Sequence, residues 1–146
     1  MSLSPPLRRT AAALLFLALS SAGAAADDEF IGTWITEKGE AHVRVAKCGA
    51  QLCGTIAWLR EPLDPKTGKP QLDDLNPNPA LQTRPVIGIR IFAMSQDTSG
   101  SWTGPIYNSD DGQTYWGRLA PRGASELEVN GCHKRLCGSE VWKRAK

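Results

Sequence analysis

Two stretches of this chain, one near its middle and one at its end, are written to one template. They are Cys48-Gly-Ala-Gln-Leu-Cys53-Gly-Thr-Ile-Ala-Trp58-Leu-Arg60 and Cys132-His-Lys-Arg-Leu-Cys137-Gly-Ser-Glu-Val-Trp142-Lys-Arg144, and both read C-x3-L-C-G-[ST]-x-[AV]-W-x-R. In each copy a β-rich run enters and leaves a pair of cysteines four residues apart, the pattern of a hairpin with a four-residue loop. Four cysteines allow three pairings. Residues facing each other across a non-hydrogen-bonded pair of strands have Cα atoms about 4.5 Å apart, within disulfide reach. The repeated hairpin therefore points to Cys48–Cys53 and Cys132–Cys137. Each bridge closes a short loop and contributes roughly 2 kcal/mol on the chain-entropy model. A four-cysteine zinc site fits less well, because the spacing is at the edge of what zinc uses and thiolates would have to survive an oxidising compartment. A redox dithiol normally sits at a helix N-terminus, and these pairs flank turns.

That compartment is read from the N-terminus. Arg8 and Arg9 form a charged start, Ala11 to Leu19 an apolar run, and Ala24-Ala25-Ala26 a small-residue cleavage site, the three parts of a secretory signal over residues 1–26. The apolar run falls short of the ~20 residues that cross a bilayer, and no later run approaches that length. The twin Arg8-Arg9 is followed by Thr10 and alanines, which favours ordinary export over the twin-arginine route. A single domain over 27–146, periplasmic or secreted, is expected. Without its first 26 residues the 146-residue chain is 120 long. It loses only Arg8 and Arg9 from 17 Lys and Arg, and so carries 15 basic residues against 15 acidic. A formally neutral domain offers no broad basic surface to nucleic acid or anionic lipid.

Period-two alternation bounded by Gly and Asx turns marks eight strands, near 31–36, 40–47, 53–60, 86–93, 101–107, 114–120, 126–131 and 138–144. Val43 and Val45 alternate with His42, Arg44 and Ala46, and Leu127 and Val129 with Glu126, Glu128 and Asn130, so these strands have one wet face. Turns fall at Lys38-Gly39, Ser99-Gly100, Asp111-Gly112 and Arg122-Gly123. These strands and turns imply an all-β fold class, an eight-stranded antiparallel up-and-down barrel about 18 Å tall, since closure removes exposed edges. One connection breaks the rhythm, a Pro-rich loop from Glu61 to Pro85 with six prolines and room for a short helix around Ala80-Leu81-Gln82.

Gly32-Thr-Trp34 opens the first strand as a G-x-W motif opens lipocalin-like barrels, and Arg144 stands on the last strand, where such folds often place an Arg against that Trp. Further marks are Cys53-Gly54 before Trp58-Leu59, Asn76-Pro77-Asn78-Pro79-Ala80-Leu81, Arg84-Pro85-Val86-Ile87-Gly88, and the run from Tyr107 to Tyr115. Together they resemble the exported bacterial family called domain of unknown function 2147. The resemblance implies a lipocalin-like barrel of the calycin type. It covers essentially the whole of 27–146, departing where Ser109 stands in place of a Pro, and it carries over no catalytic residue.

An eight-stranded barrel is either filled by side chains or holds one small ligand. Aromatic and basic residues on the strands nominate a ligand site: Trp58 and Trp116 at a mouth, Tyr107 and Tyr115 beside them, and Arg90 and Arg118 for an anionic head group. The expected ligand is small and apolar or amphipathic, with the 61–85 loop as a lid. One alternative is an envelope interaction or stress accessory protein with a filled barrel, docking through that loop. The other is a hydrolytic enzyme using loop carboxylates, with Asp73-Asp74 and Asp110-Asp111 as the candidate pairs. His42 and His133 lack the surroundings of a catalytic base, Asp73-Asp74 lacks the ligand pattern of a calcium loop, and no cofactor or metal is expected. Non-reducing peptide mapping should recover Cys48 linked to Cys53 and Cys132 to Cys137, with neither cross-linked to the other pair. Reduction should lower the melting temperature while leaving the β-sheet circular dichroism in place.

Overall fold

The computed structural model describes residues 27–146; the signal sequence expected over 1–26 lies outside them. Eight strands run in order along the chain: β1 (Gly32–Ile35), β2 (Ala41–Cys48), β3 (Gln51–Leu59), β4 (Arg90–Gln96), β5 (Trp102–Asn108), β6 (Gln113–Arg122), β7 (Glu126–His133) and β8 (Leu136–Arg144). Each pairs antiparallel with the next, and β8 returns to β1 to close the barrel. The largest shift from the expected bounds is at β4. Residues 86–89 meet β3 through an irregular approach, with Gly88 donating to the Ile56 carbonyl at 2.8 Å and Ile56 donating to that of Ile89 at 3.0 Å.

Both disulfides have the expected partners, with Cα separations of 5.8 Å for Cys48–Cys53 and 4.0 Å for Cys132–Cys137, but only the second pair stands directly opposite across its strands; Cys48 faces Gln51 and Cys53 faces Ala46. No free thiol is left for zinc or redox chemistry among the described residues. The hairpin turns are tighter than the expected four residues. The strands run on to Cys48 and Gln51 in one hairpin and to His133 and Leu136 in the other, leaving two-residue loops. Gly49 and Lys134 take the left-handed conformation there, with φ of 66° and 56°, which matches such a loop to the twist of its strands.

One end of the barrel is packed solid. Trp34, Leu52, Met94, Trp102, Leu119 and Leu127 are fully buried there, each worth roughly 1.5–3 kcal/mol of removed apolar surface. Arg144 shuts that end. Its guanidinium lies over the Trp34 ring, 4.2 Å from the centroid. It donates to the carbonyls of Ile31 at 2.7 Å, Glu29 at 2.8 Å and Ala124 at 2.8 Å. The Trp34 indole N–H donates in turn to the Phe30 carbonyl at 2.8 Å. A Cβ on Gly32 would sit 2.5 Å from Arg144 Nη1, so the glycine of the G-x-W motif makes room for the cation that the tryptophan receives. Lys47 adds an ion pair to Asp27 at 3.1 Å, and Phe30 is tucked in as a plug.

The closing seam is short. Only Trp34 opposite Arg144 and Ile35 opposite Lys143 pair β1 with β8, so the guanidinium carries much of the closure. Arg144→Ala should lower unfolding stability in urea by about 3 kcal/mol, the loss of hydrogen bonds from a charged donor and of a cation–π contact. Arg144→Lys should recover only part of it, because an ammonium cannot span three carbonyls in one plane.

Candidate functional site

The opposite end of the barrel is hollow. A cavity of about 870 Å³ opens there, floored by Val43, Ile56, Ile91, Ile106, Val129 and Trp142, with Val86 of the long loop as an added wall. These side chains point inward by the alternation of their strands and are otherwise buried against one another. The rim is different in chemistry. Glu37 and Glu40 come from the β1–β2 turn, Glu61 from the start of the long loop, Asp110 from the β5–β6 turn and Glu140 from β8. Against these five carboxylates the lining holds one guanidinium, Arg60, and one imidazole, His133. Arg60 is engaged by Glu40 at 3.7 Å and by the Lys38 carbonyl at 3.2 Å. Glu140 accepts from the Trp142 indole at 2.9 Å. Burial, and then the charges of Glu40 and Asp111, push the Asp110 carboxyl above the usual carboxylate range.

The long loop is a built wall. It folds back on itself through bridges pairing Leu63 with Pro70 and Leu72 with Pro85. It carries one turn of 3-10 helix, Pro79–Leu81, where Asn78 accepts from the Ala80 N–H at its start. Its anchor is Asp73, which is fully buried. One carboxylate oxygen accepts from the Tyr107 hydroxyl at 2.5 Å. The other accepts from Asn76 at 2.8 Å and from Arg84 through Nε at 2.9 Å and Nη2 at 2.8 Å. Four donors on one buried carboxylate tie the loop to β5, the arrangement that makes a buried charge tolerable. The Asp73-Asp74 pair considered for hydrolysis therefore has its buried member committed to structure. Burial, and then the hydrogen bond to Asp73, push the Tyr107 phenol up to about 12.

Of the six side chains nominated from sequence, Tyr107 and Tyr115 line the cavity. Tyr115 donates to Asp111 at 2.6 Å and lies 5.6 Å, ring to ring, from His133. The other four stand outside it. A bulge between His42 and Val43 pairs His42 with Trp58 and Val43 with Ile56. Trp58 is thereby turned outward, 42% exposed, with its ring 4.3 Å from that of His42. A second bulge, between Gly54 and Thr55, pairs Thr55 with Arg90 and turns that guanidinium out. On β6 the inward positions go to Tyr115, Gly117 and Leu119, so Trp116, 63% exposed, and Arg118 face solvent. Arg118 donates to Ser101 at 2.8 Å beside the closed end. Of the acid ring, the sequence nominates only Asp110, as the partner of Asp111. One signal for the rest was present in the alternation of Gly138, Glu140, Trp142 and Arg144 along β8, which puts Glu140 on the face of the two residues that close the core.

Comparison with known families matches residues 32–144 to the one described as "Uncharacterized protein conserved in bacteria (DUF2147)". Among solved structures, protein HP1028 of the human pathogen Helicobacter pylori, described as belonging to the lipocalin family, is similar to this chain. It has a TM-score of 0.65 and 23% identity, over 80% of this chain and 83% of that one. At that identity the likeness speaks for the fold. No curated protein matches the sequence.

The Asp73–Tyr107 tie has a pH signature. A phenol whose folded pKa of about 12 exceeds its ordinary 10.0 favours the folded state fully below pH 10. That stabilisation is lost as the pH rises from 10 to 12. In an ultraviolet titration of the chain's two tyrosines, Tyr107 should ionise last, and Tyr107→Phe should erase that last step. The same substitution should lower stability at pH 8 and make little difference at pH 12.

Proposed function

From the premise that this chain belongs to the DUF2147 family of bacterial proteins and folds as a lipocalin-like barrel, we propose that it is an exported carrier of a small apolar or amphipathic ligand. In this reading residues 1–26 are removed on export and the domain of 27–146 works in the periplasm or beyond. Two disulfides suit an oxidising compartment. Among the described residues no helix is long and apolar enough to cross a membrane.

The single observation that carries the reading is the division of the interior. One half is filled, and the other keeps about 870 Å³ over an apolar floor, within the roughly 300–1,000 Å³ range of small-molecule sites. A barrel kept only as a docking platform has no use for that space. The polar side of an amphipathic ligand meets the rim, where Tyr115, His133 and the carboxylates stand, and the apolar side meets the floor. Trp58, Arg90, Trp116 and Arg118, on the outer surface, have no part in this binding.

Native mass spectrometry of the protein purified from its own host's envelope should show an added mass that leaves on denaturation. A Cβ added at Gly138, inside the cavity, meets nothing within 4 Å. Gly138→Phe should therefore fold, fill the space and come out of the same preparation bare. A bare mass for the unaltered protein, with no small molecule recovered from it by solvent extraction, overturns the carrier reading.

A further inference from the structure

Strand β8 is nine residues long and its partner β1 only four. The consequence lies in the backbone. β1 pairs β8 only at Lys143 and Arg144, and from Leu136 to Glu140 every residue of β8 is exposed. The pairing with β7 determines which backbone groups are left over. Cys132 and Cys137 face each other with Cα atoms 4.0 Å apart, the narrow type of antiparallel pair, whose N–H and C=O groups point away from each other. The pattern repeats every second residue, so Cys137, Ser139 and Val141 direct their amides away from β7. Neighbouring bonds agree. The Val141 N–H donates to Glu37 Oε1 at 3.3 Å and the Ala145 N–H to Thr33 O at 2.9 Å, both toward β1, while the Arg144 N–H turns to Ser125 O at 2.8 Å. Among the described residues Cys137 and Ser139 therefore present a sheet edge with no strand on it, beside the cavity mouth.

We propose that this edge receives an extended peptide segment, added to the barrel as a short extra strand between β8 and the β1–β2 turn. The side chains along the edge define the segment's chemistry. On the inward face of β8 stand Gly138, with open space where a Cβ would be, and Glu140, with Glu37 and Glu40 across the gap. A peptide residue entering beside Gly138 drops an apolar side chain into the cavity. The next inward residue, two positions along, meets the carboxylates and carries a Lys or Arg. The partner is thus a segment of alternating pattern with a basic side chain two residues from an apolar one. Main-chain hydrogen bonds supply the affinity and the two inward positions the selectivity. Cys137, Gly138 and Ser139 also line the mouth of the cavity, so the peptide's apolar side chain shares that space with a carried ligand, while its main-chain bonds to the β8 edge need no ligand.

A fluorescein-labelled peptide of sequence Thr-Lys-Thr-Val-Thr-Lys-Thr, capped at both ends, sets its Val and Lys on one face and tests this on the protein of 27–146 with both disulfides formed. Binding should raise its anisotropy and protect the Cys137 and Ser139 amides from hydrogen exchange. N-methylation of one alternate set of peptide amides should weaken binding at least tenfold, and of the other set much less. Glu in place of Lys throughout should weaken it by a similar factor. Ser139→Pro deletes an edge N–H that makes no bond to β7, a change sheets tolerate at an edge. It should abolish peptide binding while the protein keeps its melting temperature. Equal binding to both N-methylated peptides, or exchange protection elsewhere on the barrel, overturns the proposal. So does a concentration-dependent dimer that Ser139→Pro dissolves in the absence of any peptide binding, which would assign the edge to a second copy of this chain.

Discussion

A barrel made by an up-and-down chain has one joint that local hairpins cannot make, the one between its first and last strands. Here that joint is two residue pairs reinforced by a single guanidinium. Arg144 lies over the Trp34 ring and gathers carbonyls from the N-terminal turn and the β6–β7 connection around its edge. The carbonyls of that turn have no ladder to join, and a fixed fork of donors satisfies them. Trp34 is fully buried beneath the cation, which strengthens the contact. The pairing of the last strand with the first, and hence the barrel itself, rests on this cluster.

From that end the interior changes character within a few residues. On β2, Val45 is packed into the core while Val43 looks into the cavity. On β5, Trp102 fills the base and Ile106 floors the open half. Glycines at inward positions decide which way this goes. At Gly54 and Gly117 the space a side chain would take is occupied by Phe92 of the adjoining β4 and by Ile106 with Met94, so side chains from neighbouring strands fill the interior there. At Gly138 nothing comes across, and the barrel stays hollow. Burying large side chains at one end supplies stability, which lets the other end leave apolar surface uncovered.

The architecture was legible because its signals are local. Alternation at Val43 and Val45 and at Leu127 and Val129, the Gly turns and the twin cysteine motif each specify a strand, a turn or a hairpin within about ten residues. The G-x-W motif and Arg144 stood out only as a pattern, and the pattern proved to be one contact. The site was much less legible, for two physical reasons. A bulge adds one residue to a strand and inverts the facing of the residues beyond it, so Trp58 and Arg90, aromatic and basic in promising company, lie outside. The acid rim is assembled from the β1–β2 turn, the long loop, the β5–β6 turn and β8, and no window of sequence contains it. Asp73 shows the same limit. Next to Asp74 it read as half of an acidic pair, whereas its partners Tyr107 and Arg84 come from β5 and from the far end of the loop, and they make it the rivet that holds the loop in place.

Both ends of the described chain meet at the closed base. Arg144, next to the last residues, holds Glu29 and Ile31 near the first. A tether joined at either terminus, whether a membrane anchor, a neighbouring domain or a solid support, would therefore hold the barrel by its sealed foot. So held, the barrel would turn its hollow end away from the surface.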